Sequence, residues 1–253
     1  KTNATMQSAG GLISTAHDMG RWLELQINDG VIDGRRVFPA GLIASTHASV
    51  ARQDADFGAY HRDGYGLGWQ TGTYGADRLI HHFGNFSGSR AHVSLMPERR
   101  LGVAVMVNED LVGGELADVI ANYVFDRFAD RADLEAAYSA ELATLTERRD
   151  SRRQRLAAAR AERAARPWSL TRPLASYVGV YESPALGRLE INEADGRMVV
   201  SIGVLSSVAE AYSEPEAVRV ELVPFQGAVL TFAGTDKLVF ESETFERRRP
   251  PHH

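Results

Sequence analysis

The chain contains no cysteine. Disulfides, thiolate nucleophiles and zinc–thiolate centres are thereby excluded, although lack of cysteine does not fix a compartment. Lysine is almost as scarce: of 28 basic residues only Lys1 and Lys237 are lysines, and neither has a serine three residues before it. No Tyr-x-Asn or Ser-x-Asn triplet occurs, and no Gly-x-Ser-x-Gly. No apolar run is long enough to span a bilayer. The opening "KTNATMQSAGG" lacks the charged and apolar regions of a signal peptide. A net charge of −5 argues against nucleic acid as the main partner. His252 and His253 resemble the remnant of a purification tag and are left out of the functional reading.

What is present suits a folded protein. With 44% hydrophobic and 24% charged residues, the 253-residue chain can fill one large core or two ordinary ones. Thr15 and Asp18 have capping-box spacing. Met19, Trp22, Leu23 and Ile27 follow at helical period, and Gly30 ends the helix. A turn at Asp33-Gly34 and a short helix from Pro39 come next. The Gly- and aromatic-rich "DFGAYHRDGYGLGWQTG" then reads as a loop running into a strand at 67–73. Residues 91–96 and 101–107 flank "PERR" as a hairpin. The second of these strands is apolar on both faces, which predicts cover on both sides. Leu116, Val119, Ile120, Tyr123, Val124 and Phe128 place a second amphipathic helix at 113–129, packed on that sheet.

The composition then shifts. Residues 134–167 are rich in Ala, Arg and Glu, with no helix breaker before Pro167. From Glu147 to Arg166 there are eight arginines against three acids. A basic helix can touch anionic lipid or nucleic acid; a solvated connecting helix is the favoured reading. From Leu174 the period becomes two. Short strands alternate with turns such as Asp195-Gly196, predicting a small antiparallel barrel or sandwich. The fold class is therefore α+β: an antiparallel sheet flanked by helices over 1–130, a helical linker over 131–167 and an antiparallel β-barrel over 168–253.

Three stretches in order carry a family resemblance: "SAGGLISTAHDMGRWL" (8–23), "YGLGWQ" (65–70) and "HHFGNFSGSRAHVSLMPERRLGVAVMVN" (81–108). They resemble the serine β-lactamase-like hydrolases, the superfamily of class C β-lactamases, penicillin-binding proteins and esterases. The first part is similar to the C-terminal portion of that β-lactamase/transpeptidase-like domain. The all-β tail is similar to the lipocalin-like accessory domain found behind many such enzymes.

The resemblance implies acyl transfer through a serine acyl-enzyme on an ester, an amide (β-lactam) or a D-amino-acid peptide, with no cofactor and no metal. It also implies a periplasmic or secreted setting. His82-Phe83-Gly84 takes the place of the family's third motif, with His82 facing the site as a donor to the substrate carboxylate or to the proton network. Gly84 lets substrate lie against the strand. The backbone N–H of Asn85 is expected to donate to the oxyanion. Tyr65, Trp69 and Phe83 are the candidate substrate contacts, with core packing an equal alternative for Tyr65 and Trp69. His81 has the opposite strand parity and should face away, which also argues against a metal site built from His81, His82 and His92. Ser87 and Ser89 read as turn residues, and Asp18 as a helix cap.

The family's Ser-x-x-Lys and Tyr-x-Asn elements are not in these residues. The expected partners are therefore a small-molecule or peptide substrate and the missing N-terminal part of the same protein, or a second chain supplying it. Nucleic acid and a transmembrane segment are not expected, and a homo-oligomer is allowed. The chain alone is expected to be inactive. The alternative from another class is a non-catalytic module. In it the barrel holds an apolar ligand among Phe225, Phe232 and Phe240, or drives oligomerisation.

Overall fold

The structure, a computed structural model, describes residues 12–86, 88–224 and 226–248. Ser87, Phe225, the Ala9-Gly10-Gly11 part of the first motif and the terminal histidines lie outside the described residues. The chain forms two compact units, 1–151 and 152–253.

In the first unit, α1 (Ala16–Ile27) begins as the spacing predicts: the Thr15 hydroxyl accepts from Asp18 N at 3.1 Å. Its buried side is Leu23, Leu25 and Gln26, whereas Trp22 is exposed. A two-residue hairpin, β1 (Val31–Ile32) and β2 (Arg35–Arg36), turns at Asp33-Gly34, both at positive φ. After α2 (Leu42–Thr46) comes an antiparallel six-stranded sheet. Its strands are β3 (Ala51–Phe57), β4 (Tyr60–Tyr65), β5 (Gln70–Tyr74), β6 (Asp77–Phe86), β7 (Ser89–Met96) and β8 (Leu101–Val107), in that spatial order. The hairpin across "PERR" forms as expected. The β3–β4 hairpin replaces the loop read from the sequence. All seven residues of β3 are exposed, so no buried face marked it as a strand.

α3 (Gly113–Phe128) and α1 pack on opposite faces of the sheet. Ala117 and Ala121, both fully buried, bring α3 close to Leu79, Met96, Val103 and Val105. Leu23 of α1 packs with Trp69, Ile80 and Leu95 on the other face. β8 is thus covered on both sides, as its composition predicts. The apolar stripe of α3 is divided, however. Leu116, Val119 and Tyr123 meet Leu134, Tyr138 and Leu145 of α4 (Leu134–Ala165), while Ile120 and Phe128 remain exposed.

The two edges of this sheet differ in a way that matters below. β3 carries Arg52, Asp54 and Asp56, the charged dress of a strand built to stay at an edge. β8 carries no charge, exposes Met106, and pairs on one side only among the described residues.

The short helix α2 shapes the loop before β5. Leu67 N donates to Thr46 O at 2.9 Å, and Gly66 N to Trp69 O at 2.7 Å. A Cβ on Gly66 would lie 2.4 Å from Thr46 O and 2.9 Å from Ala48 O. Both neighbours are backbone and cannot swing aside. Gly66→Ala is therefore expected to cost about 1–3 kcal/mol, as overpacked sites do. A clear drop in melting temperature is the expected result, and an unchanged one contradicts the close approach.

In the second unit, β9 (Gly179–Ser183), β10 (Gly187–Ala194), β11 (Arg197–Ile202), β12 (Leu205–Val208), β13 (Glu210–Ala211), β14 (Ala217–Val223), β15 (Gln226–Phe232), β16 (Lys237–Phe240) and β17 (Glu243–Arg247) form one antiparallel sheet. β17 returns to pair with β9. Near the opposite edges, Glu221 N of β14 donates to the Ser207 hydroxyl of β12 at 2.8 Å, so the barrel nearly closes. Its interior is filled by Tyr177, Tyr181, Leu189, Ile191, Leu230 and Phe245. Phe232 and Phe240 pack in this core rather than lining a ligand chamber. The Arg-rich end of α4 meets local acids: Arg163 pairs with Glu210 at 2.8 Å and Arg166 with Glu162 at 3.2 Å. No helix among the described residues is long and apolar enough to cross a membrane.

Candidate functional site

β6 presents two different surfaces because successive strand residues point to opposite faces. Ile80 is buried on the α1 face, and His82 and Gly84 continue that face into solvent. Leu79, His81 and Phe83 lie on the α3 face. The adjacent histidines are therefore separated by the sheet, His82 exposed and His81 fully buried.

His82 has two polar contacts. Its Nδ1 is 2.8 Å from the Phe83 carbonyl oxygen and its Nε2 is 3.2 Å from the Tyr65 hydroxyl. The Tyr65 ring meets it edge-on at 6.1 Å. Tyr65 and His82 come from β4 and β6, which flank β5, so the sheet brings these two candidates together. Gly84 and Asn85 are exposed, registered opposite Ala91 and Arg90 of β7. A Cβ on Gly84 would meet Ala91, its Cβ at 3.3 Å and its backbone N at 4.0 Å. An open groove of about 340 Å³ passes this end of the strand, with Phe57, Phe83, Gly84, Asn85, Arg90 and Asp118 among its walls.

The other substrate-contact candidates lie elsewhere. Trp69 is buried with Leu23, Ile80 and Leu95, its ring 5.6 Å from that of His47. Phe83 is half-buried on the α3 face, 4.9 Å from the His81 ring and 5.0 Å from that of His92. Of the three, Tyr65 is the one whose side chain bonds His82, whereas Phe83 meets it through its backbone carbonyl.

Beneath β6 the structure holds a polar chain that the sequence reading did not assign. His92 Nδ1 is 2.8 Å from Asp118 Oδ1, and its Nε2 is 2.6 Å from Ser94 Oγ. Ser, His and Asp in this order suggest a catalytic triad, but Ser94 and His92 are fully buried and share the α3 face, away from His82. A nucleophile must be reached, so the chain is a tether between β7 and α3. The alternation His-x-Ser on a strand was its only sequence signal; Asp118 comes from a helix 26 residues from His92.

His81 has no hydrogen-bond partner on either ring nitrogen. Burial, reinforced by the charges of Arg62, His92 and His82, pushes its pKa down to about 3. His47 is likewise lowered to about 4 by burial, with Arg78 adding to the effect and Asp29 opposing it. Among the described residues no group of three or more His, Asp or Glu side chains is placed to hold a metal ion.

The comparisons with known proteins bear on the half of the chain that carries this site. Residues 1–124 match the family model described as Beta-lactamase. The first half of the chain belongs to the β-lactamase family. Among solved structures, the octameric penicillin-binding protein homologue from Pyrococcus abyssi is similar at 17% identity, with a TM-score of 0.39 over 92% of this chain and 46% of that one. SurE with D-Leu aligns at 15% identity and a TM-score of 0.33 over 93% of this chain and 50% of that one. The C-terminal domain of penicillin binding protein Rv0907 aligns at 27% identity and a TM-score of 0.28, over 33% of this chain and 91% of that domain. The chain thus spans about half the length of the first and second of these. No curated protein matches it significantly. The matched segment contains both β4 with Tyr65 and β6 with His82-Phe83-Gly84.

Proposed function

We propose that the chain is the C-terminal part of a serine hydrolase that works through an acyl-enzyme on an ester, a β-lactam or other amide, or a D-amino-acid peptide. The observation that carries this reading is the open end of β6. There His82 and Gly84 share one exposed face, with Tyr65 bonded to the histidine. The roles follow from the positions. Gly84 leaves room for a carbonyl to lie along the strand, Asn85 N–H is its hydrogen-bond donor, and His82 serves the proton traffic. The attacking serine and its lysine come from a Ser-x-x-Lys element outside these residues.

The sheet supports the same reading. An uncharged edge strand is a place for another strand to pair. The outer edge of β8 and the exposed Ile120 and Phe128 of α3 are surfaces that the rest of the hydrolase, in the same chain or from a second copy, would cover. The filled barrel core gives no support to an interior ligand as the main function.

The test is turnover of p-nitrophenyl esters and of nitrocefin. The 253-residue chain is expected to show none, and a longer protein carrying Ser-x-x-Lys and Tyr-x-Asn is expected to turn over at least one. Silence of the longer protein towards esters, β-lactams and D-amino-acid peptides refutes the assignment. Turnover by the short chain that is lost on Ser89→Ala refutes the site.

A further inference from the structure

Resting on the hydrolase reading, we infer that Tyr65 is a working member of the site: it holds His82 in one tautomer and exchanges a proton with it. The argument begins at the other ring nitrogen. Nδ1 of His82 lies 2.8 Å from the Phe83 carbonyl oxygen. A carbonyl oxygen only accepts, so Nδ1 carries the hydrogen. A neutral imidazole has one N–H, which leaves Nε2 with its lone pair. The Tyr65 hydroxyl, 3.2 Å away, is then the donor and Nε2 the acceptor. In this state the neutral ring has no free N–H to offer a substrate carboxylate, the role that the family resemblance suggests for it. It is a proton acceptor whose proton sits on Tyr65.

The position of Tyr65 is imposed rather than incidental. Val50 N donates to the Tyr65 carbonyl at 2.8 Å, and Leu67 N, two residues on, donates to Thr46 O at 2.9 Å. The next strap is the His47 ring, whose Nε2 bonds Gln26 Oε1 of α1 at 2.8 Å and whose edge meets Trp69. The backbone on both sides of Tyr65 is therefore tied down. Holding a phenol against one imidazole nitrogen requires such fixation, because an untethered side chain would lose the geometry to rotamer freedom.

Such a pair can take up and return one proton. The attacking hydroxyl gives its proton to Tyr65 Oη while the Tyr65 proton passes to His82 Nε2. The hydroxyl oxygen bonds the carbonyl carbon as the C=O π pair moves onto the carbonyl oxygen. When that pair returns and the bond to the leaving group breaks, the leaving group takes a proton from Tyr65, which recovers one from the imidazolium. No net proton is gained or lost by the pair.

Two measurements decide the matter. The first uses the 253-residue chain labelled with ¹⁵N and reads the His82 tautomer near neutral pH from two-bond ¹H–¹⁵N correlations. The Nδ1–H form is expected, and Tyr65→Phe is expected to move the ring towards the Nε2–H form that free histidine prefers. An Nε2–H ring in the unmodified chain, or a tautomer indifferent to Tyr65→Phe, overturns the pairing. The second uses the longer protein with its nucleophile element. Tyr65→Phe is expected to lower kcat by roughly 10²-fold, the low end for a general acid–base group, with KM nearly unchanged. Thermal denaturation should show the variant folded. An unchanged kcat, or a loss confined to KM as for a simple pocket wall, overturns the catalytic role. If the longer protein is inactive before any substitution, the hydrolase reading fails, and the tautomer experiment still decides whether Tyr65 governs His82.

Discussion

Gly84→Val in the longer hydrolase is expected to reduce acyl transfer by roughly 10²–10³-fold, the range for losing one oxyanion donor, while the protein stays folded. The two halves of this expectation have different causes. Gly84 sits in a regular, exposed part of β6, away from the left-handed backbone region, and an added Cβ would meet Ala91, its Cβ at 3.3 Å and its backbone N at 4.0 Å. The Cβ contact is tight, so Ala91 must give by a few tenths of an ångström, but the backbone conformation does not demand glycine and a β-branched residue suits an exposed strand. In the proposed hydrolase, the space beyond Gly84 is where the substrate carbonyl would lie. Two methyl groups would hold the carbonyl away from the Asn85 N–H, and a hydrogen bond weakens steeply as it lengthens and bends. Gly84→Ala should fall between the parent and the valine variant. The check is kcat/KM beside a melting curve. Full activity in the valine variant removes Gly84 from the site. A variant that unfolds makes Gly84 structural, as Gly66 is, where a Cβ would lie 2.4 Å from the Thr46 carbonyl oxygen.

His81→Leu is expected to be at least as stable as the parent at pH 7 and more stable in mild acid. The parent's ring is fully buried with both nitrogens unpaired, and an orphaned polar group in a core costs about 1–3 kcal/mol. Leucine has similar bulk and nothing to satisfy. The pH dependence follows from linkage. In the unfolded chain the imidazole titrates at about 6.5, whereas in the folded protein burial lowers it to about 3. Below 6.5 the unfolded state binds the extra proton. The contribution of this ring to stability is thus fully present above 6.5 and is lost as the pH falls towards 3. At pH 5 the loss amounts to about 2 kcal/mol, at 1.36 kcal/mol per pH unit. His47, lowered to about 4, acts in the same direction and in the same window. Urea unfolding at pH 7 and pH 5 should show the parent losing more stability than the variant. Equal losses in both would mean that the ring charges without unfolding the protein.

Much of this was legible in the chain before any coordinates. The cap at Thr15, the turns at Asp33-Gly34 and Asp195-Gly196, the hairpin across "PERR" and the helices at 113 and 134 are local features, written in a few neighbouring residues. The opposite orientations of His81 and His82 follow from the period of a strand. The absence of Ser-x-x-Lys, and with it the reading of a hydrolase lacking its nucleophile, is likewise a property of the sequence.

Tertiary structure decided the rest, because it depends on residues far apart in the chain. β3 was hidden by its wholly exposed, charged sequence, and only pairing with β4 makes it a strand. Trp22, placed on the apolar face of its helix by spacing, is turned outward, and Trp69, for which core packing and substrate contact were equal alternatives, is buried, since which part of an apolar face is covered depends on the neighbour that arrives. The glycine between Tyr65 and Leu67 is explained by a carbonyl twenty residues earlier. The bond from Tyr65 to His82 and the chain from Ser94 through His92 to Asp118 exist because the sheet and α3 bring separate segments together. The sequence by itself determined the local elements and the family, whereas the fold determined which side chains share a proton, because hydrogen bonds are set by distance in space.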